Sequence, residues 1–376
     1  MSAVRTGLDV LVSSEFEPLA GKRLGVVANH ASVDRDLVHI SRHLARAEKA
    51  GKLEVRAYLG PEHGLWGAFD DRVAGEGEVE PHTGKPFISL YGASYEPPSD
   101  FLDAVDGVLF DLPDVGSRFY TYTWTLAHVL EGCQKAGKPV WLLDRPNPIG
   151  GVEREGPVLE PECASFVGRY PIPIRHGMTL GELGTWMVER FIPGADLRVI
   201  GVEGWRRADH WPATGLPWVM PSPAMPLYET AVVYPGMGLL EATNLSEGRG
   251  TTRPFEMFGA PYLDGWALAD ALNAAEMLGV RFRPVQFEPT SGKHREVVCQ
   301  GCFLHVFDPV AFRPVQTALR VMREVWRQRP AEAAFLPPSQ PGGLRRLDTL
   351  GGTPRWEAWV SDFDGPPDPW NDESGR

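Results

Sequence analysis

The chain has 376 residues, room for two domains at roughly 100–200 residues each. Its 43% hydrophobic and 23% charged content excludes a mostly disordered protein, and no stretch nears the roughly 20 apolar residues of a membrane-spanning helix. With 37 Lys+Arg against 49 Asp+Glu, a net charge of −12 and no basic run, it lacks the clustered cations that nucleic-acid phosphates require.

In chain order, the N-terminus has no basic stretch leading into an apolar core and a small-residue cleavage site, so no secretory signal is expected and the cytoplasm is the default. Residues 24–30 read as a buried strand ending in Asn29 and His30, and residues 36–48 carry Leu37, Ile40 and Leu44 at helical spacing. Residues 53–59 form a second strand, followed by the Gly60-Pro-Glu62-His63-Gly64 loop. Residues 105–111 form a third, leading to Asp111 and Asp114. A helix over 123–136 and a strand over 140–144 follow, the strand ending in Asp144, Arg145 and Asn147. Strand and helix in alternation predict an α/β, doubly wound parallel sheet covered on both faces. In such open sheets ligands bind beyond the carboxyl ends of the strands, where this chain delivers polar groups at four successive tips.

Thr179 and Glu182 form a capping box ahead of Leu180, Leu183, Trp186 and Met187. Residues 212–226, rich in Pro and Ser, read as a linker or wall. The expected domains are 1–221 and a smaller α+β domain, 222–376. The second is expected to hold a segment over 229–240, a polar loop over 241–253 and a helix over 266–275. Strands over 281–287 and 297–307, a helix over 310–327 and a loose acidic tail over 362–376 follow. The four cysteines are too few for a disulfide framework. Cys299-Gln-Gly-Cys302, flanked by His294 and His305, would bind zinc only if all four side chains converged. Val297, Val298, Phe303, Leu304 and Val306 around it favour a buried strand.

After Val27 the chain reads Ala-Asn-His-Ala-Ser-Val-Asp, without the glycines of a dinucleotide loop, and it contains no phosphate-binding P-loop motif. No nucleotide cofactor is expected. There is no G-x-S-x-G serine elbow and no H-E-x-x-H metal motif, so no catalytic metal is expected. Carboxylate chemistry remains. Glycoside hydrolysis commonly needs one carboxylic acid to protonate the leaving oxygen, plus a second group that the substrate itself can supply. Glu62, on a strand-tip loop, suits the acid; the plainer alternative is a loop carboxylate capping backbone N–H groups. Trp66, Tyr91, Phe119, Tyr120, Tyr122, Trp124 and Trp218 lie in or beside the tip segments. Sugars pack on such rings, although aromatic residues are more often core.

These residues fall into an ordered set of landmarks: Val27-Ala-Asn-His30, Pro61-Glu-His-Gly64, Ser89-Leu-Tyr-Gly92, Asp114-Val-Gly-Ser-Arg-Phe-Tyr-Thr-Tyr122 and Leu143-Asp-Arg-Pro-Asn-Pro148. Glu155-Gly-Pro157, Pro173-Ile-Arg-His-Gly-Met178, Thr214-Gly-Leu-Pro-Trp218 and Ser222-Pro-Ala-Met-Pro226 follow. Glu241-Ala-Thr-Asn244 and Gly248-Arg-Gly-Thr-Thr-Arg-Pro-Phe-Glu256 complete the set. On them the chain resembles the NamZ/YbbC family of exo-β-N-acetylmuramidases, from Thr6 to about Leu350. The resemblance implies a Rossmann-like N-terminal domain without a dinucleotide, a C-terminal domain and an active cleft between them. Glu62 matches the family's Glu-His-Gly glutamate and is the leading catalytic candidate, with His63, Asp114 and Glu155 as further catalytic positions. Asn29, His30, Arg118, Tyr120, Arg145 and Asn147 are the expected substrate contacts of the first domain region. Arg175, His176, Glu241, Asn244, Arg249 and Arg253 are those that follow. Pro113 departs from the glutamine that family members often carry before Asp-Val-Gly.

The implied reaction is release of N-acetylmuramic acid from the non-reducing ends of peptidoglycan fragments, with no cofactor. A cytoplasmic member would act on imported fragments. The alternatives are an exo-glycosidase for another amino sugar, or an inactive protein that binds cell-wall fragments. The second catalytic group stays open among Glu155, Asp114, Glu241 and the substrate's acetamido group. The lactyl carboxylate of muramic acid calls for a local arginine. Of Arg118, Arg145, Arg175, Arg249 and Arg253, Arg249 or Arg253 is favoured, because a Gly-Arg-Gly loop leaves its side chain free.

Overall fold

The computed structural model describes residues 3–67, 79–91, 94–338 and 340–371. In chain order the elements are α1 (Gly7–Ser13), β1 (Arg23–Ala28), α2 (Ile40–Lys49), β2 (Glu54–Gly60), β3 (Phe87–Ser89), α3 (Ser99–Asp103), β4 (Gly107–Asp111), α4 (Tyr122–Lys135), β5 (Val140–Leu143), β6 (Glu155–Val158) and β7 (Pro173–Arg175). They continue as α5 (Leu180–Arg190), β8 (Leu197–Ile200), α6 (Trp211–Thr214), α7 (Tyr228–Met237), β9 (Met257–Ala260), α8 (Gly265–Ala274), β10 (Val280–Phe287), β11 (Cys299–Val306), α9 (Pro314–Gln328), α10 (Arg346–Gly351) and α11 (Trp356–Ser361). The chain folds into two units. One takes Met1–Gly116, Tyr120–Val152 and Gly177–Pro226; the other takes Ser117–Phe119, Glu153–His176 and Leu227–Arg376.

The first unit is built on a six-stranded sheet in the order β3-β2-β1-β4-β5-β8, with every pairing parallel. This is the Rossmann-like parallel sheet expected, and its order puts the switch point between β1 and β4. Alternation along the strands sends Leu24, Val26, Leu109, Trp141 and Leu143 to a core shared with Leu8 and Leu11 of α1 and with Ile40 and Leu44 of α2. On the other face, Phe101 of α3 lies over Gly25, and Leu126 of α4 and Leu142 of β5 both lie over Gly184 of α5. The central strands β1, β4 and β5 are buried on both faces, which is why they read as apolar runs. The second unit holds an antiparallel sheet, β10-β11-β9, and the two-stranded β6-β7 pair. Helices α7, α8 and α9 pack in the same unit.

Local chemistry moves some expected boundaries. The helix expected from residue 36 begins at Ile40. The Asp34 carboxylate accepts the Asp36 and Val38 N–H groups at 2.9 and 2.8 Å and closes a turn, and His39 caps the helix. The helix expected from residue 310 begins at Pro314 for the same reason: Asp308 accepts the Val310 and Ala311 N–H groups. The capping box of Thr179 and Glu182 forms as read. The tail expected to be loose is held in its described part, where Trp370 packs 6.0 Å from Trp356 and from Trp359; residues 372–376 lie outside the described residues. No described helix is long and apolar enough to cross a membrane.

Candidate active site

The strand tips of the first unit carry the expected polar residues, and most are fastened. Asn29 donates through Nδ2 to the Tyr122 hydroxyl and the Pro221 carbonyl, both at 3.0 Å, and accepts the Ala31 N–H. His30 Nε2 lies 2.5 Å from the Met220 carbonyl, and burial pushes its pKa down. After β4, Asp111 is fully buried and takes both arms of Arg145, Nε–Oδ1 2.6 Å and Nη2–Oδ2 2.9 Å. Arg145 also donates to the Val33 carbonyl, so it locks three loops together. Asp114 accepts the Gly116 N–H at 2.7 Å and the Thr123 hydroxyl at 3.3 Å. After β5, Asp144 accepts the Thr179 hydroxyl and the Gly181 N–H, each at 2.8 Å, at the start of α5. Burial nevertheless pushes its pKa up to about 6. Asn147 donates to the Met178 carbonyl.

Glu62 differs. It is partly exposed, and Oε2 accepts one hydrogen bond, from the Thr121 hydroxyl at 2.7 Å. Among the described residues Oε1 takes none. Thr121 stands at the start of α4, so Glu62 and Asp114 are both held by hydroxyls of that helix's first residues. The next residue, His63, has φ 71°, a left-handed conformation uncommon for a side chain other than glycine's. Such strain concentrates at functional sites. Tyr120 packs edge-on against Tyr122, ring centroids 4.9 Å apart.

A crevice opens in this unit at the switch point between β1 and β4. Ala31, Asp114, Arg145, Trp211 and Trp218 are among its lining. Trp211 and Trp218 meet at right angles, 5.5 Å between ring centroids. The Pro-rich segment read as a linker or wall thus forms one side of the crevice.

In the second unit, Arg118 departs from its expected place among substrate contacts. It is completely buried and donates to the Pro157, Ile172 and Leu350 carbonyls at 2.8 to 2.9 Å, a strut for backbone that would otherwise be unsatisfied. Glu155 is buried as well, pairs in register with Arg175, and accepts the Gln316 N–H at 2.8 Å in the first turn of α9. Burial pushes its pKa up to about 7. Arg175 and His176 are both buried. Asn244 holds the Glu332 carbonyl, the Tyr262 hydroxyl and the Ala334 N–H. Arg253 pairs with Glu256 at 2.8 Å.

The Gly-Arg-Gly loop does not leave Arg249 free. Its Nη2 donates to Glu241 at 3.0 Å, and Nε lies 3.6 Å from Glu247. The flanking glycines serve the loop's own fold: Gly248 and Gly250 have φ +80° and +78°, and a Cβ on Gly250 would lie 2.4 Å from the Ser291 nitrogen. Sequence reasoning did not pick out Thr121, Lys293 or Arg346. A single Thr in an aromatic landmark, a lysine in a loop and an arginine far downstream carry no motif. Cys299 and Cys302 lie on β11 as expected of a strand, both buried.

Residues 24–229 match the family described as exo-β-N-acetylmuramidase NamZ, N-terminal, and residues 232–368 its C-terminal counterpart. The peptidoglycan β-N-acetylmuramidase NamZ of Bacillus subtilis (strain 168) is 43% identical over 336 residues, 89% of this chain and 80% of that protein. Among solved structures, a DUF1343 family protein from Bacteroides fragilis superposes with a TM-score of 0.86 at 32% identity, covering 96% of this chain and 92% of its own. A second DUF1343 protein from that organism gives 0.73 at 26%, covering 96% and 91%.

Proposed function

Because the chain belongs to the exo-β-N-acetylmuramidase NamZ family, we propose that it is a glycoside hydrolase that removes N-acetylmuramic acid from the non-reducing ends of peptidoglycan fragments, with Glu62 as its general acid. One observation carries the assignment of the acid. Of the described carboxylates at the strand tips, Asp111, Asp114 and Asp144 each have both oxygens engaged, whereas Glu62 is held by one oxygen and its other oxygen takes no hydrogen bond among the described residues. A general acid needs that division: one oxygen to fix the carboxyl, the other to bring a proton within hydrogen-bond reach of the leaving oxygen.

Each candidate for the second group has at least one oxygen committed within the fold. Asp114 closes a turn, Glu155 holds the start of α9 and Glu241 sits between two arginines. Their engagement favours the substrate's own acetamido oxygen as the internal nucleophile, a route known for other glycosidases of N-acetylated sugars. The polar contacts of Asn29, His30, Arg145 and Asn147 brace the other strand-tip loops of the first unit.

The test is hydrolysis of a chromogenic β-N-acetylmuramic acid glycoside by the purified protein, beside the N-acetylglucosamine analogue. Release from the first and little from the second is expected. Equal release from both points to a broader amino-sugar glycosidase, and release from neither removes the hydrolase assignment.

A further inference from the structure

We propose that Arg249 and Arg346, fastened to the two oxygens of Glu241, form an anion seat in the C-terminal unit that takes the lactyl carboxylate of N-acetylmuramic acid. The identity of the anion rests on the muramidase function proposed above; the seat itself rests on the side chains.

Glu241 accepts Arg249 Nη2 through Oε1 and Arg346 Nη2 through Oε2. Burial works against the charge on Glu241, yet the two guanidinium groups outweigh it and hold its pKa below the usual range. Glu241 therefore stays an anion and fixes both arginines, which would otherwise be free to rotate. Close by, Lys293 donates to the Leu240 and Thr243 carbonyls, each at 2.8 Å, and forms an ion pair with Glu247 at 2.8 Å. Three cations thus face two carboxylates, Glu241 and Glu247, and the cluster carries a surplus positive charge within a chain of net charge −12.

The unused donors belong to the two arginines. Among the described residues Arg249 Nη1 makes no hydrogen bond, nor do Arg346 Nε and Nη1. The two side chains are 35% and 54% exposed, so these donors are open to an incoming ligand. A guanidinium offers its free edge as a planar fork that suits a carboxylate. The Phe255 ring lies beneath Arg249, 5.0 Å from the guanidinium carbon. Tyr234 packs against Phe255 and Phe119 against Tyr234, edge to face, giving the seat an apolar floor. The other arginines expected to answer the lactyl charge are less suited: Arg118 is buried on carbonyls, Arg145 is bidentate to Asp111, Arg175 is buried, and Arg253 is paired with Glu256.

The experiment is calorimetric titration of N-acetylmuramic acid and of N-acetylglucosamine into the wild-type chain, Arg346→Gln and Arg249→Lys. Arg346 is half exposed, so its replacement spares the fold. Arg249→Lys keeps a charge beside Glu241 and Glu247 but loses the fork. The wild type is expected to prefer N-acetylmuramic acid. Arg346→Gln should weaken that sugar roughly tenfold or more, the effect of one lost charge-assisted hydrogen bond, while binding of N-acetylglucosamine stays unchanged. A wild type without preference, a preference that survives both substitutions, or equal loss of both sugars would overturn the seat. Hydrolysis of the chromogenic muramic acid glycoside by the wild type, measured in parallel, separates the two ideas. Hydrolysis with the preference unmoved by either substitution sinks the seat alone. A preference lost in the variants of a wild type that hydrolyses nothing sinks the hydrolase alone.

Discussion

The Thr121 hydroxyl donates to Oε2 of Glu62 at 2.7 Å, so the acid at the tip of β2 is aimed by the residue that opens α4. Thr121→Val keeps the shape of the side chain and removes this donor. The expected result is a roughly tenfold fall in kcat with KM near that of the wild type, since the hydrogen bond that orients the acid is lost. Thr121→Ser should restore most of the rate. Steady-state kinetics on the muramic acid glycoside check this; a change confined to KM would mean that Thr121 only shapes binding.

Arg145 and Asp111 form a bidentate pair almost without solvent contact. Arg145→Met leaves the Asp111 carboxylate buried with no counter-charge, which should cost about 3–5 kcal/mol of stability. Adding Asp111→Leu removes that stranded charge, so the double variant should unfold at a higher denaturant concentration than Arg145→Met alone. Urea unfolding of the wild type, Arg145→Met, Asp111→Leu and the double variant decides it. Losses that simply add would show that the two side chains are not coupled.

Glu155 gives a pH signature. Burial raises its pKa from the ordinary 4.5 to about 7, against the opposing pull of Gln316 and Arg175. A carboxyl whose pKa is raised by folding binds its proton more tightly in the folded chain. Its contribution is full below about 4.5 and is lost as the pH rises through about 7. Glu155→Gln can still accept the Gln316 N–H and does not ionise. Between pH 4.5 and 7 the stability of the wild type should therefore fall relative to the variant. Thermal unfolding of both across that range measures the difference; parallel curves would mean that Glu155 does not titrate there.

Much of this architecture is legible from residues alone, because β1, β4 and β5 are buried on both faces and read as apolar runs, and β2 ends in one. The short strands β3 and β8 carry no such signal: β3 has three residues, and β8 is a half-exposed edge strand. The tips of the long strands locate Glu62, Asp114 and Arg145 for the same reason that they locate the strands. What each tip residue does is not legible, because it depends on partners far away in sequence. Arg118 reads as an ordinary loop arginine until Leu350 is seen to accept its guanidinium. Arg249 reads as free until Glu241 and Arg346 close on it. Polarity is written locally, whereas satisfaction of that polarity is set by the tertiary structure.

The most direct measurement is turnover of the chromogenic β-N-acetylmuramic acid glycoside by Glu62→Gln beside the wild type, with circular dichroism to establish that both are folded. Gln can still accept from Thr121 but has no proton to give to the leaving oxygen. A folded variant whose kcat is reduced on the order of 10²–10⁴-fold is the expected result. A folded variant retaining about a tenth or more of wild-type turnover, well above that range, would contradict the role given to Glu62.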